Sequence, residues 1–152
     1  MNIASIDIGT NTVIMLIAEF DLIQKQIKVI LNDQKIPRIG QGLKPGKPIS
    51  SKKEILLIDI LESFKKIAAY HNCEKILVTA TNAFRVASNS GSIVKNIKRV
   101  LNLDIKIASS EEEARLTYFG CTGGFQLDKT LCVIDIGGGS TEISFGSNNN
   151  FN

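Results

Sequence analysis

Two short segments of the chain carry the same chemistry. Ser5-Ile6-Asp7-Ile8-Gly9-Thr10-Asn11-Thr12 and Val133-Ile134-Asp135-Ile136-Gly137-Gly138-Gly139-Ser140-Thr141 each run from an apolar strand into Asp, one further residue, Gly, and then small polar residues. A turn built from Gly, Ser and Thr lets backbone N–H groups approach an anion with no Cβ in the way, and the hydroxyls add donors. The Asp at the strand end cannot itself bind phosphate. Its use would be to hold a divalent cation or a water in front of phosphate oxygens. One such turn is an ordinary Gly-rich hairpin, but two facing each other would grip a polyphosphate from both sides. Other phosphate motifs fail. Gly42–Lys47 has too few residues between its glycines for a Walker A loop, and Gly40-Gln41-Gly42 lacks the third glycine of a dinucleotide fingerprint.

Two further places carry charge in a suggestive setting. Ser109-Ser110-Glu111-Glu112-Glu113-Ala114-Arg115 is the most acidic stretch. A capping box from Ser110 to Glu113 and the helix dipole account for acids there. A cap needs only one of the three, however, and another can project into a cleft and activate a water. Thr79-Ala80-Thr81-Asn82-Ala83-Phe84-Arg85 follows a strand and reads as a loop entering a helical turn, a place that presents donors to anions. Arg85 there is either a forked phosphate contact or a surface residue covering apolar neighbours.

The elements that must position these residues can be read from pattern. Ile3–Ile8, Thr12–Phe20 and Gln26–Ile36 are predicted strands joined by short turns, the third beginning with the alternation Ile27, Val29, Leu31. A Gly- and Pro-containing loop, 37–50, precedes a helix opened by a capping box at Ser51-Lys52-Lys53-Glu54. Its inner face is Leu57, Leu61, Phe64 and Ala68, and it ends near Tyr70–Asn72. Next come a strand at Ile76–Thr79 and a helix capped by Asn89 or Ser90, with Ile93, Val94, Ile97, Val100 and Leu101 inward. A strand at Ile105–Ala108 leads to a helix capped by Ser109 or Ser110 that Gly123-Gly124 breaks. Leu131–Ile136 and Thr141–Phe145 form a fresh hairpin, and Gly146–Asn152 reads as polar and unstructured. Three antiparallel strands followed by strand–helix alternation predict an α/β fold, a five-stranded mixed sheet with helices on its faces.

Composition removes many alternatives. The chain has 152 residues, 43% hydrophobic, enough to bury a core. The net charge of +3 comes from scattered Lys and Arg, and aromatics are 6% with no Trp, which argues against nucleic-acid binding. No apolar run is long enough for a membrane span, and Met1–Gly9 lacks the basic start of a signal peptide. Cys73, Cys121 and Cys132 form no Cys-x-x-Cys pair, so a cytoplasmic setting is expected. The single His71 falls at a helix end, which removes histidine-based nucleophilic mechanisms unless another segment supplies one.

Taken in order, Ile6–Thr12, Ala80–Arg85, Ser110–Leu116 and Val133–Glu142 resemble the exopolyphosphatase/guanosine pentaphosphate phosphohydrolase family, of the actin-like ATPase (ribonuclease H-like) fold. The resemblance spans residues 1–147. It implies hydrolysis of a terminal phosphoanhydride in polyphosphate or guanosine pentaphosphate, with Mg²⁺ as cofactor. It makes Glu113 the carboxylate that orients water, and Asp7, Asp135 and Glu142 the acids at the metal. Thr10, Asn11, Thr12, Arg85, Gly137, Gly138, Gly139, Ser140 and Thr141 become phosphate-binding. Thr10 and Thr12 stand where the family usually has Ser, and Ser110 near a usual Gly. The resemblance also implies an N-terminal domain over 1–124, with 125–152 the first hairpin of a second domain. The whole protein is then expected to be a homodimer. This chain alone is expected to hydrolyse little, with its hairpin mobile or paired at an edge with another copy. A kinase of the same fold and a non-catalytic polyphosphate or nucleotide sensor are the rival readings.

Overall fold

The computed structural model describes residues 1–21, 23–24, 26–123, 130–147 and 150–151. The chain runs β1 (Asn2–Ile8), β2 (Val13–Asp21), β3 (Gln26–Lys35), α1 (Ser51–Tyr70), β4 (Cys73–Ala80), α2 (Asn82–Val86), α3 (Ser90–Leu101), β5 (Ile105–Ile107), α4 (Ser110–Thr122), β6 (Leu131–Ile136), β7 (Thr141–Ser147) and β8 (Asn150–Phe151). β1 to β5 form one mixed sheet in the order β3-β2-β1-β4-β5, and β6 to β8 form a second, antiparallel one. In the first, β1–β2 and β2–β3 are antiparallel while β1–β4 and β4–β5 are parallel.

Period-two alternation decides what the first sheet buries. Ala4, Ile6 and Ile8 of β1, Val13, Met15 and Ile17 of β2, and Val78 and Ala80 of β4 face one side. Leu57, Leu61, Phe64 and Ala68 of α1 and Ile93, Ile97 and Leu101 of α3 cover that side in one continuous core. The residues between them point the other way, so Ser5 and Asp7 stand on the opposite face. Glu54 accepts from Asn96 Nδ2 at 2.8 Å, tying α1 to α3.

Several local expectations are corrected. In β3 the predicted alternation breaks at a bulge. Ile17 pairs with Leu31 and Ala18 with Val29, leaving Ile30 without a partner. Leu31 therefore packs on the core, whereas Ile27 and Val29 are exposed. The cap of α1 is Ser50 and not Ser51: its Oγ accepts from the Lys53 N–H at 3.4 Å. α4 is likewise capped one residue earlier than the Ser110–Glu113 box predicts, by Ser109, which accepts from the Glu112 N–H at 3.1 Å. Asn89 precedes α3 but makes no cap bond with its side chain. Its amide instead donates to and accepts from the Ile49 backbone, both at 2.9 Å, fixing the end of the 37–50 loop. Val100 is exposed and not inward. The predicted unstructured tail is also corrected: β7 runs to Ser147, and β8 pairs with it. Gly124 and the expected domain boundary lie outside the described residues.

The second sheet lies against α4 of the same chain. Glu142 and Ser144 on its inner face are buried, while Ile134, Ile136, Ile143 and Phe145 on its outer face are exposed. His71 caps the end of α1, where its carbonyl accepts from Asn2 Nδ2 at 2.8 Å. Cys73, Cys121 and Cys132 are all free.

Candidate active site

The sequence repeat is also a repeat of geometry. At the end of β1 the Gly9 N–H donates to the Thr12 carbonyl at 2.9 Å, and at the end of β6 the Gly137 N–H donates to Ser140 at 3.0 Å. Asp7 pairs across its hairpin with Ile14, and Asp135 with Glu142. The turns Gly9–Thr12 and Gly137–Ser140 therefore have the same closure, each one residue beyond its strand.

They meet across a cleft of about 150 Å³. It is lined by Asp7, the Gly9–Thr12 turn, Thr81, Asn82, Glu113, Asp135 and the Gly137–Ser140 turn. The glycines are needed for this approach. A Cβ on Gly138 would strike the Asn11 amide, and one on Gly139 would strike Asn82 and lie 2.9 Å from Thr10 Oγ1. Gly40 plays the same part behind the first turn, where a Cβ would lie 2.5 Å from Thr10 Cγ2. Its N–H donates to the Thr10 carbonyl at 2.8 Å, and the Arg38 N–H to Asn11 at 2.9 Å, so the 37–50 loop braces that turn.

The acids come from three elements. Asp7 ends β1, Glu113 sits in the first turn of α4, and Asp135 lies in β6, where its Oδ2 accepts from Thr117 Oγ1 at 3.2 Å. Ser109 Oγ caps α4 by accepting from the backbone N–H of Glu112, whose carboxylate pairs with Lys106. The Glu113 carboxylate takes no part in that cap bond, and Glu113 lines the cleft. Asp7 is exposed at its surface, yet protein from both sheets crowds it. Its carboxyl is raised from the ordinary 3.8 to about 6, first by burial, then by the charges of Glu113 and Asp135.

A cation would relieve that crowding. Mg²⁺ is commonly held by one or two carboxylates with waters and substrate oxygens, and Asp7 and Asp135 suit that use. Among the described residues no group of three or more His, Cys, Asp or Glu is arranged to hold a metal by itself.

Not all predicted site residues come together. Thr10, Asn11, Thr12, Gly137, Gly138, Gly139 and Ser140 line the cleft with Asp7, Glu113 and Asp135, but Thr141, Arg85 and Glu142 do not. Arg85 instead binds Glu113 Oε2 at 2.5 Å and lies 3.7 Å from Glu142 Oε1. Glu142 therefore meets a guanidinium, with Asp135 opposite it across the hairpin. Asn82 and Thr117 were not singled out by sequence. Only the position of Asn82, directly after a strand and at a helix start, signals it.

A mixed sheet and a second, antiparallel sheet, each carrying an Asp-x-Gly hairpin turn at one cleft, define an actin-like ATPase fold. Comparison with known proteins narrows this. The profile of the Ppx/GppA phosphatase family matches residues 16–152, and the chain belongs to that family. It is similar to the Ppx/GppA family member of Aquifex aeolicus, with TM-score 0.88 and 29% identity over 100% of this chain and 49% of that one. It is also similar to an exopolyphosphatase from Cytophaga hutchinsonii, with TM-score 0.89 and 27% identity over 99% of this chain and 48% of that one. A bifunctional 3-dehydroquinate synthase/phosphatase of Fusobacterium nucleatum is 31% identical, over 95% of this chain and 23% of its own length. The chain thus spans about half the length of these solved relatives and about a quarter of the curated one.

Proposed function

We propose that the protein carrying this chain hydrolyses the terminal phosphoanhydride of inorganic polyphosphate or guanosine pentaphosphate. The observation that carries this reading is the placement of Glu113, an acid spared from its own helix cap, in a small cleft between two phosphate-type turns. N–H groups and hydroxyls of Thr10–Thr12 and Gly138–Ser140, the turn residues beyond the two closing glycines, hold the phosphoryl oxygens. Glu113 takes a proton from a water as that water attacks phosphorus, and the bridging P–O bond breaks with the leaving phosphate taking its electron pair. Mg²⁺, held by Asp7 and Asp135, would neutralise charge on the phosphoryl oxygens. A reducing cytoplasm suits the three free cysteines, and among the described residues no helix is long and apolar enough to cross a membrane. We read the whole protein as a homodimer, on the family resemblance.

The test is phosphate release in the longest natural form of the protein, with Mg²⁺ and no acceptor, on tripolyphosphate and guanosine pentaphosphate in parallel. Release from either supports a hydrolase. Turnover that requires an added alcohol acceptor would establish a kinase, and binding without turnover a sensor.

A further inference from the structure

Arg85 is held where it cannot reach the phosphate turns without giving up two bonds. It lies in α2, a short helix joined to the sheet by the Thr81 N–H, which donates to Ile8 at 3.1 Å. From there Nη1 donates to the Ala108 carbonyl at 3.1 Å and to Glu113 Oε2 at 2.5 Å. Ala108 immediately precedes the capping Ser109, so this one nitrogen grips both the approach to α4 and the acid in its first turn. The side chains of Arg85 and Glu113 are each only 17% exposed. Arg85 does not line the cleft that Glu113 lines. It meets the acid from outside that lining, between Glu113 and the start of β7.

Its other nitrogen is unfinished. Nη2 is buried and has no hydrogen-bond partner among the described residues, while Glu142 Oε1 lies 3.7 Å away, in ion-pair range but too far for a hydrogen bond. Glu142 is buried and follows Thr141 directly after the second phosphate turn. A guanidinium favours forked contact through both nitrogens, and a buried donor gains by finding an acceptor. A shift of the second turn by less than an ångström would complete the bond. Glu113, in the first turn of α4, and Glu142, at the start of β7, thus share one guanidinium.

We infer that Arg85 is a positioning residue that holds Glu113 toward the cleft and, through Glu142, links that hold to the seating of the second phosphate turn. The inference rests on the reading of Glu113 as the water-orienting acid. It gives Arg85 and Glu142 roles different from phosphate contact and metal ligation.

The experiment is steady-state kinetics on tripolyphosphate with Mg²⁺, in the longest natural form of the protein, with thermal melting of each variant alongside. Arg85→Met is expected to lower kcat by about 10²-fold with KM within about twofold, because the acid is misplaced while phosphate contacts stay. Arg85→Lys, which keeps the charge but not the fork, falls between. Glu142→Gln lowers kcat by about threefold to tenfold. The Arg85→Met/Glu142→Gln double variant is no worse than Arg85→Met alone, since the two act through one contact. A tenfold rise in KM with kcat kept would overturn the inference and make Arg85 a substrate contact. Losses that multiply in the double variant would remove the link through Glu142. If Arg85→Met does not fold, Arg85→Lys and its double with Glu142→Gln decide the same two questions. Glu113→Gln separates the layers: a normal rate there removes the reading of Glu113 itself, whereas a dead variant beside a KM effect at Arg85 removes only the present inference.

Discussion

The two sheets contribute matching turns to one cleft but are held in opposite ways. The first buries Ile6, Ile8, Met15 and Ile17 beneath α1 and α3, so the turn at Gly9 rises from a closed core and is braced by Gly40 and Arg38. The second is held through its inner face, to α4 by the Thr117–Asp135 bond and to α2 by the Arg85–Glu142 pair. Its apolar face, Ile134, Ile136, Ile143 and Phe145, meets solvent. Burial beneath helices therefore fixes the first turn, whereas in this chain side-chain contacts to α4 and α2 seat the second.

The sharpest way to break that contrast is to delete core from each sheet's side. Phe64→Ala, removing a fully buried ring beneath the first sheet, is expected to cost about 3–5 kcal/mol in urea unfolding. Ile136→Thr, on the open face of the second, is expected to change stability by less than about 0.5 kcal/mol. Comparable losses would mean that the two sheets share one core.

Next in size is activity of the 152-residue chain by itself. With the second turn carried on a half-covered sheet, phosphate release is expected about 10²-fold or more below that of a form in which the open face is covered. Equal rates would show that α4 alone seats the turn well enough.

Gly139→Ala probes the meeting point of the two turns. Its methyl would displace the Asn82 amide and crowd Thr10. About a tenfold loss in phosphate release is expected, with the melting temperature within about 2 °C of the parent, because the clashing amide is the free end of a side chain. A large drop in melting temperature instead would show that the contact is structural.

The smallest effect concerns Asp7. Its carboxyl titrates near 6 in the folded chain against 3.8 unfolded, so the folded state binds the proton more tightly. The stability this gives is complete below pH 4 and is lost as pH rises through 6. In metal-free buffer Asp7→Asn is expected to raise the melting temperature by about 1–3 °C at pH 7.5 and to leave it unchanged at pH 4. A gain of equal size at both pH values would assign the effect to something other than charge.

Much of this was legible in the sequence, and the remainder was not for identifiable reasons. The Asp-x-Gly turns show because a hairpin of this kind needs Gly and small polar residues in one fixed order, and the repeat shows it twice. The inner face of α1 shows because helical spacing leaves little choice. The cap of α1 slipped by one residue, and that of α4 stayed open between two, because serines stand in pairs, Ser50-Ser51 and Ser109-Ser110, and both members suit a cap equally well. The bulge at Ile30 leaves no local mark, since a β-branched residue fits a strand whether paired or not. The Arg85–Glu113 bond joins residues 28 apart, and only the parallel pairing of β4 and β5 brings them together. Spacing therefore marked a cluster of three acids, the family resemblance singled out Glu113 among them, and neither marked Arg85 as the residue holding it.

The most direct measurement of the central claim is the turnover of Glu113→Gln against the parent in the longest natural form of the protein, with tripolyphosphate binding measured by calorimetry on both. The account predicts binding kept within a few fold and kcat lowered by about 10²–10⁴-fold, because the turns still grip phosphate but no carboxylate accepts the proton of water. A Glu113→Gln protein that turns over at the parental rate would contradict it.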